Sequence, residues 1–430
     1  MAGGGYETTI VDIQQLYDQF GYGLHRHPLS VRNFANFLKK NWERPRYFFI
    51  IGKAREYAFT RTQADLEDPI NRAFYVPTFG VPGADNLLIS SGNTSSVPVL
   101  PLGRLAASSP DEIRIYLDKV KLLESNENLP QTFEDRAWQK RILHLSGGDP
   151  TIQESIANFL AGMENTIEDN GFGADVTTFY KTSTDPVQIS ESEEIFRLIN
   201  DGVSIITFFG HSGVGTFDFN IDNPENYFNY GKYPTMFSLG CFSGNIHTSA
   251  QGISERFLFY EEKGAGSFIA STGQGFISVL RNFANTSYDL IGGSMYGQGL
   301  GDVLRATIQE YDSNQGLTVK TLHQQFTLHG DPALRMNPRP GPDFIVDAST
   351  VSFEPAVVSS RLDSFSINFA INNLGRKVTD SFFVQVEQEL PGGDRVSLIR
   401  QWVAAPGFGD RYSFRVPCFG AIAAGLNRIY

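Results

Sequence analysis

Two stretches decide the fold: Ser204-Ile205-Ile206-Thr207-Phe208-Phe209-Gly210-His211 and Thr235-Met236-Phe237-Ser238-Leu239-Gly240-Cys241. Each is a largely apolar run of strand length that ends in glycine and is followed at once by a side chain capable of chemistry. Such runs predict strands of a parallel sheet that are buried on both faces. The residues just past such strands lie at the carboxyl edge of the sheet, where open α/β folds place their ligands. We therefore expect His211 and Cys241 to meet at one edge.

A histidine and a cysteine at one sheet edge are the parts of a thiolate–imidazolium dyad. A cysteine becomes an effective nucleophile when its pKa falls, usually beside an imidazole or at a helix N-terminus. Both are predicted for Cys241, because the segment after it leads into a helix that begins near Gly252. The backbone N–H groups of Ser212, Gly213 and Cys241 are the candidate oxyanion hole. The competing interpretation makes Cys241 a buried, inert thiol.

Other polar residues receive simpler interpretations. His247, six residues after Cys241, is a rival proton carrier, although a polar loop position near the cleft is the simpler interpretation. The remaining histidines of the late strands and helices are interpreted as core or surface residues: His144, His323 and His329. Asp85 and Asp331 could bind structural calcium or cap helices, and capping is the simpler expectation. No HExxH or CxxC spacing predicts a zinc site, and the dyad requires no cofactor.

Composition excludes several function classes. The 430 residues carry a net charge of −12, which argues against a nucleic-acid partner because such a partner needs a basic face. Two cysteines are too few for a disulfide framework. No apolar stretch is long enough to predict membrane insertion. With 41% apolar and 19% charged residues, the chain is typical of an ordinary folded protein.

Alternating apolar runs and helical stretches between Tyr6 and about residue 340 predict an α/β fold. The expected strands are Arg46–Gly52, Val97–Gly103, Arg141–Gly147, Val176–Tyr180, Ser204–Gly210, Thr235–Gly240 and Ser267–Gly273. The expected helices are Ser30–Trp42, Pro110–Ser125, Thr151–Asp169, Ser192–Asn200 and Gly252–Lys263. A polar stretch at Glu124–Phe133 divides them into an N-terminal α/β subdomain, 6–130, and a catalytic one, 131–340.

The last part of the chain, 341–430, has a different pattern. Phe365–Ile371 and Phe382–Glu387 largely alternate bulky apolar residues with smaller or polar ones, and turn residues separate such runs. This pattern predicts an antiparallel β-sandwich. The abrupt end at Tyr430 suggests that the domain is truncated.

Several motifs, in this order, resemble those of the gingipain-type cysteine peptidases, peptidase family C25. They are Ile13–Phe20, Phe49-Ile50-Ile51-Gly52, Val76-Pro77-Thr78-Phe79, Leu102-Gly103-Arg104-Leu105, Gly210-His211, Gly240-Cys241-Phe242-Ser243-Gly244 and Gly330-Asp331-Pro332. The resemblance implies a caspase-like catalytic domain followed by an immunoglobulin-like domain. It also implies that Cys241 attacks the scissile carbonyl while His211 handles protons, and that Phe276 and Gln274 line the substrate pocket.

The resemblance further implies export from the cell, often by the type IX secretion system, and a place outside the cell or on its surface. Protein substrates are expected as partners. One branch of the family, the PorU-like proteins, acts as the sortase of that system, so other secretion components are possible partners as well.

The chain departs from the family pattern at two places. Gly210-His211-Ser212-Gly213 stands where the family has Gly-His-Gly, and Ser146-Gly147-Gly148 stands where Arg-specific members carry a glutamate that orients the histidine. The second departure supports an alternative function, a catalytically silent scaffold or binding subunit. A third interpretation, a non-peptidase α/β hydrolase, is disfavoured because the chain lacks the Gly-x-Ser-x-Gly spacing at this site.

Overall fold

An eight-stranded sheet forms the centre of the protein in the computed structural model. The structure describes residues 5–74, 76–90, 92, 95–181, 189–313, 316–336, 339–359, 361–418 and 427–430. The strands are β1 (Phe48–Ile51), β2 (Leu102–Leu105), β3 (Arg141–Ser146), β4 (Asp175–Tyr180), β5 (Ile205–Phe209), β6 (Thr235–Leu239), β7 (Ser267–Ser271) and β8 (Phe326–His329). Their order across the sheet is β1-β2-β8-β7-β6-β5-β3-β4.

Twelve helices occur in the described residues of this region. They are α1 (Ile13–Phe20), α2 (Leu29–Asn41), α3 (Gln63–Glu67), α4 (Asp85–Leu88), α5 (Pro110–Ser125), α6 (Phe133–Arg136), α7 (Gln153–Asp169), α8 (Ile189–Asp201), α9 (Ile253–Phe259), α10 (Ile277–Gly292), α11 (Leu300–Glu310) and α12 (Leu317–Gln325). The predicted start of α5 is confirmed, because Ser109 and Glu112 form a capping box around Pro110. None of the helices in the described residues is long and apolar enough to cross a membrane.

Strands β3 to β7 are parallel, whereas β8 is antiparallel to β7 and parallel to β2. Strand β8 therefore joins the early strands and the late strands into one sheet. Every residue of β5, β6 and β7 is buried, as expected for parallel strands covered on both faces. The α/β fold class is confirmed; the subdomain boundary at 130/131 stays a prediction.

Four charged side chains are buried where α4, β2 and the loop after β1 meet the start of α9. The Arg104 guanidinium donates from Nε to Asp85 Oδ2 at 2.6 Å, and Lys53 Nζ lies 2.6 Å from Glu255 Oε1. Less than a tenth of each side chain is exposed. Buried charges are tolerated only when they are paired. The Arg104–Asp85 pair lies within the early part of the chain, whereas the Lys53–Glu255 pair joins the early part to the late part.

Burial of Glu255 gives the free energy of unfolding a pH dependence. Burial raises the pKa of Glu255 from 4.5 to about 7, against the opposing effect of Lys53. The folded protein then holds this proton more tightly than the unfolded chain does. Stability from this group is complete below pH 4.5 and declines by about 3 kcal/mol as the pH rises to about 7.

Replacing Glu255 with glutamine is therefore expected to remove that decline. The measurement is urea unfolding of both proteins between pH 4 and 8. Glu194→Gln is the matched control, because Glu194 forms an exposed pair with Arg197. A decline that is equally steep in Glu255→Gln and in the wild type would contradict the assignment.

The remaining strands form a separate antiparallel β domain after residue 343. They are β9 (Phe344–Val346), β10 (Ser352–Glu354), β11 (Ser364–Asn373), β12 (Ser381–Glu389), β13 (Arg395–Ala404), β14 (Gly409–Pro417) and β15 (Arg428–Ile429). One sheet has the order β10-β11-β14 with β9 also on β11, and the other has the order β13-β12-β15. Apolar residues of both sheets share one core, which agrees with the predicted β-rich C-terminal domain.

Polar contacts attach this β domain to the α/β part. Lys140 is buried, and its Nζ donates to the Gly375 carbonyl at 2.6 Å. Arg136 Nη1 lies 2.7 Å from Asp343 Oδ2, and the Lys377 N–H donates to the Gly171 carbonyl at 2.9 Å. The buried amine of Lys140 thus satisfies a backbone carbonyl of the β domain, which would otherwise lose a hydrogen bond on burial.

Candidate active site

The histidine and the cysteine follow neighbouring strands. Strands β5 and β6 pair in parallel with Phe209 opposite Leu239, so Gly210 and Gly240 continue the same register. The Gly210 N–H donates to the Leu239 carbonyl at 3.4 Å. His211 and Cys241 therefore leave the sheet side by side at its carboxyl edge. The prediction that the two strands are neighbours is confirmed.

Close backbone packing at this edge requires glycine. A Cβ added to Gly240 would lie 2.1 Å from Ser212 Oγ, far inside van der Waals contact. Ser212 Oγ in turn donates to the Cys241 carbonyl at 2.8 Å. The residue after the histidine thus binds the cysteine's own backbone and ties the two loops together.

The thiol of Cys241 lies between the loop after β6 and the loop after β7. Its Sγ accepts the Gly275 N–H at 3.3 Å, and such a donor favours the thiolate over the thiol. Phe242, the next residue, has a φ of +59°, and its N–H donates to the Gly273 carbonyl at 2.8 Å. Left-handed backbone is strained for a phenylalanine, and such strain is common beside functional groups.

The predicted helix start near Gly252 is confirmed, since Gly252 is the N-cap of α9. A turn follows the cysteine, closed by the Asn245 N–H on the Phe242 carbonyl, and α9 begins only at Ile253. The N–H of Ile253 donates to the Val214 carbonyl. Eleven residues separate Cys241 from the start of α9, and the backbone donor in contact with Sγ is the Gly275 N–H.

His211 is half exposed, and its Nε2 lies 3.2 Å from Asp149 Oδ2. If Nε2 carries the proton of this contact, Nδ1 is the nitrogen that remains free to take a proton from a thiol. No hydrogen bond joins Cys241 Sγ to His211 within the described residues. Contacts of this kind in an unliganded enzyme often form only with substrate.

The predicted oxyanion donors differ in availability. The Gly213 N–H donates to the Thr216 carbonyl at 2.9 Å, inside a hairpin that the Asp218 N–H closes on the His211 carbonyl. Within the described part of the chain, the N–H groups of Ser212 and Cys241 have no protein acceptor. These two are therefore the donors that a substrate oxygen could use, while Gly213 is already engaged.

The two predicted pocket residues, Gln274 and Phe276, flank Gly275. Both are exposed, and 46% of Phe276 is accessible. Because the Gly275 N–H touches the thiol, both residues lie within one position of a direct contact with Cys241. Their assignment as a substrate pocket stays a prediction.

A family model described as peptidase family C25 matches residues 2–337. The chain belongs to peptidase family C25. A search of the curated proteins finds no match.

Solved structures of the family share the fold of this C25 member. The Arg-specific cysteine proteinase gingipain R has 14% identity and a TM-score of 0.54, over 91% of this chain and 82% of that one. The complex of Porphyromonas gingivalis RgpB pro- and mature domains has 14% identity and a TM-score of 0.52, over 91% and 84%. Dimeric latent PorU of the same organism has 14% identity over 97% of this chain and 37% of that one; its TM-score of 0.34 is too low to indicate a shared fold. The gingipain fold expected for the chain is confirmed.

Asp149 is the site residue that sequence reasoning missed. It directly follows Ser146-Gly147-Gly148, the stretch noted for lacking the family glutamate. Its contact with His211 joins residues that are 62 positions apart. The available signal was a carboxylate just past β3, the other neighbour of β5 in the sheet.

The rival histidine of this C25 chain lies elsewhere. His247 is fully buried, and burial lowers its pKa to about 4. Neither ring nitrogen makes a hydrogen bond within the described residues, and Nε2 lies 3.8 Å from Asp85 Oδ2. The expected loop position is confirmed, but the ring is enclosed in the protein interior. A neutral, enclosed imidazole is unsuited to carrying protons to the thiol.

The two aspartates proposed to bind calcium or to cap helices differ from each other. The Asp85 carboxylate faces Arg104 and Thr78 instead of capping α4, so that expectation is wrong. Asp331 Oδ1 accepts the Ala333 N–H at 2.8 Å and closes a turn. Among the described residues, no three side chains of the His, Cys, Asp or Glu type are grouped as a metal site. The histidines interpreted as core or surface residues, His144, His323 and His329, are all buried.

Proposed function

We propose that the protein is a cysteine endopeptidase in which Cys241 is the nucleophile and His211 is the general base and then the acid. The observation that carries the proposal is the delivery of both residues to one sheet edge by β5 and β6. The Gly275 N–H on Sγ supports it, because a donor at this position stabilises the attacking thiolate.

In the acylation step, Cys241 Sγ forms a bond to the carbonyl carbon of the scissile peptide. His211 takes the thiol proton and passes it to the nitrogen of the leaving amine as the C–N bond breaks. The negative oxygen of the tetrahedral intermediate accepts hydrogen bonds from the N–H groups of Ser212 and Cys241. The product is a thioester between Cys241 and the acyl half of the substrate.

The nucleophile that attacks the thioester decides which product is released. Water gives hydrolysis, with His211 as the base, whereas an amine gives a transpeptidation of the kind that a type IX secretion sortase performs. Protein substrates, with Gln274 and Phe276 beside the reacting group, and a location outside the cell or on its surface belong to the same proposal. They are supported by membership of the peptidase family.

The experiment is covalent labelling of the whole chain with a panel of peptidyl chloromethyl ketones, read by intact mass and peptide mapping. We expect one adduct, at Cys241, formed much faster than with iodoacetamide, and the preferred peptide identifies the residue that the pocket accepts. Cys418 is an internal control, since it is a buried free thiol in the β domain.

The alternative, a catalytically silent scaffold, predicts a different result. Cys241 would then react slowly with every reagent, with no preference among peptides. Incubation of the enzyme with a cleavable peptide substrate, in water alone or with an added glycine peptide, distinguishes a hydrolase from a transpeptidase, because only the latter forms the new amide in preference to the acid.

A further inference from the structure

We infer that Asp149 is the positioning residue of the dyad: its carboxylate holds the His211 ring with Nε2 protonated and leaves Nδ1 free to accept the thiol proton. This inference rests on the proposed function. It identifies the carboxylate of the site at a position three residues after Ser146, where the family glutamate is missing.

The first argument is the division of work between the two oxygens of Asp149. Oδ1 accepts the Thr151 N–H at 2.8 Å and the Thr151 hydroxyl at 2.6 Å, while Oδ2 faces His211 Nε2 at 3.2 Å. The carboxylate is therefore anchored by one oxygen and presents the other to the imidazole. Fixing the partner in this way sets both the orientation and the tautomer of a histidine.

The second argument is the rigidity of the loop that carries Asp149. Its carbonyl accepts the N–H groups of Ile152 and Gln153, each at 3.0 Å, at the start of α7. The preceding Gly148 has a φ of +95°, and its carbonyl accepts Gln153 Nε2 at 3.1 Å. A loop bound from both sides holds the carboxylate at a defined distance from the neighbouring strand end.

The third argument is a link between this loop and the histidine hairpin through Asp218. The Asp218 N–H donates to the His211 carbonyl at 2.9 Å, and Asp218 Oδ2 accepts the Gly148 N–H at 2.7 Å. One residue therefore binds the backbone of His211 and the backbone beside Asp149. A Cβ on Gly147 would lie 2.3 Å from Asp218 Oδ1, so the close approach depends on that glycine.

The charge of Asp149 persists in the neutral range. The hydroxyl and N–H of Thr151, followed by His211, hold the pKa of Asp149 below its usual value of 3.8. A carboxylate accepts a hydrogen bond from a neutral imidazole and stabilises the imidazolium that forms during catalysis.

A bland alternative is that Asp149 only closes the turn before α7. The variants Asp149→Asn and Asp149→Ala separate the two roles. Asparagine keeps an oxygen for Thr151 and so keeps the turn, but it places an amide NH₂ opposite Nε2. That donor favours the other tautomer, with the proton on Nδ1, which blocks proton transfer from the thiol.

The measurements are the rate of Cys241 alkylation by iodoacetamide and the ¹⁵N shifts of the His211 ring, assigned with His211→Ala. We expect both variants to lose about ten- to a hundred-fold in rate and the ring proton to move from Nε2 to Nδ1 in Asp149→Asn. Formate at high concentration should restore Asp149→Ala, whose site has room for it, and leave Asp149→Asn slow. Asp118→Asn is the matched control, because Asp118 is an exposed aspartate paired with Lys121.

Wild-type rates and an unchanged ring proton in Asp149→Asn would overturn the inference. A loss of alkylation rate in Asp149→Ala that formate does not restore would also overturn it, if the tautomer in Asp149→Asn is unshifted. That combination is expected of a residue that only closes the turn. Failure of the proposed function looks different: wild-type Cys241 itself would then react no faster than in His211→Ala.

Discussion

Replacing His211 with alanine is expected to slow alkylation of Cys241 by a peptidyl chloromethyl ketone by about a hundred- to ten-thousand-fold. The Gly275 N–H that touches Sγ can stabilise a thiolate, but it cannot remove the thiol proton. The loss of rate should therefore exceed the loss in any Asp149 variant, because those variants keep the base and change only its orientation or tautomer. The measurement is the second-order rate of adduct formation by intact mass.

His25→Ala is the matched control for this prediction, because His25 is an exposed histidine of the N-terminal region that touches Tyr17 and not the site. Its alkylation rate should equal that of the wild type. His247→Ala tests the rival residue. If His211→Ala kept the wild-type rate while a folded His247→Ala lost it, the assignment of the base would have to be reversed.

The strands that deliver the dyad could be predicted from the sequence for a physical reason. A strand that is buried on both faces requires a continuous apolar run, which is recognisable in the local sequence. The glycine that ends the run marks where the backbone must leave the sheet. The predicted runs 204–210 and 235–240 contain β5 and β6 completely. A reactive residue that directly follows such a run, as Cys241 does, can therefore be identified from the sequence alone.

Contacts between loops that are distant in the sequence have no recognisable local pattern. Asp149 reaches His211 only because β3 and β5 are neighbours in the sheet, an order that the sequence does not state. Strand β8 was missed for a related reason. It has four residues, follows α12 without a break and is recognised by its partners, since it pairs with β2 on one side and β7 on the other.

Buried charge is the clearest case of information that the sequence hides. Asp85 was expected to cap a helix, and nothing in the stretch Leu102-Gly103-Arg104-Leu105 itself indicates that its arginine is buried. Each is buried because the other is present, and neither can be predicted alone. The same ion pair carries the second large expected effect.

Arg104→Met is expected to lower the free energy of unfolding by about 3–5 kcal/mol. Burial alone would raise the pKa of Asp85, but Arg104 outweighs this effect and lowers the pKa to about 2. Without the guanidinium, the carboxylate is left buried, and its remaining partners among the described residues are Thr78 and a distant His247. The carbonyl of Gly52, which accepts Arg104 Nη1 at 2.9 Å, also loses its donor.

Urea unfolding at pH 7 measures the loss, and Asp85→Asn combined with Arg104→Met completes a double-mutant cycle. Removing the charge of Asp85 should recover part of the stability, because the unpaired carboxylate is gone while the carbonyls stay unpaired. Arg114→Met is the control: Arg114 pairs with Asp111 on the surface, and its loss should cost no more than about 1 kcal/mol. Equal losses in Arg104→Met and Arg114→Met would show that the buried pair does not hold α4 and β2 together.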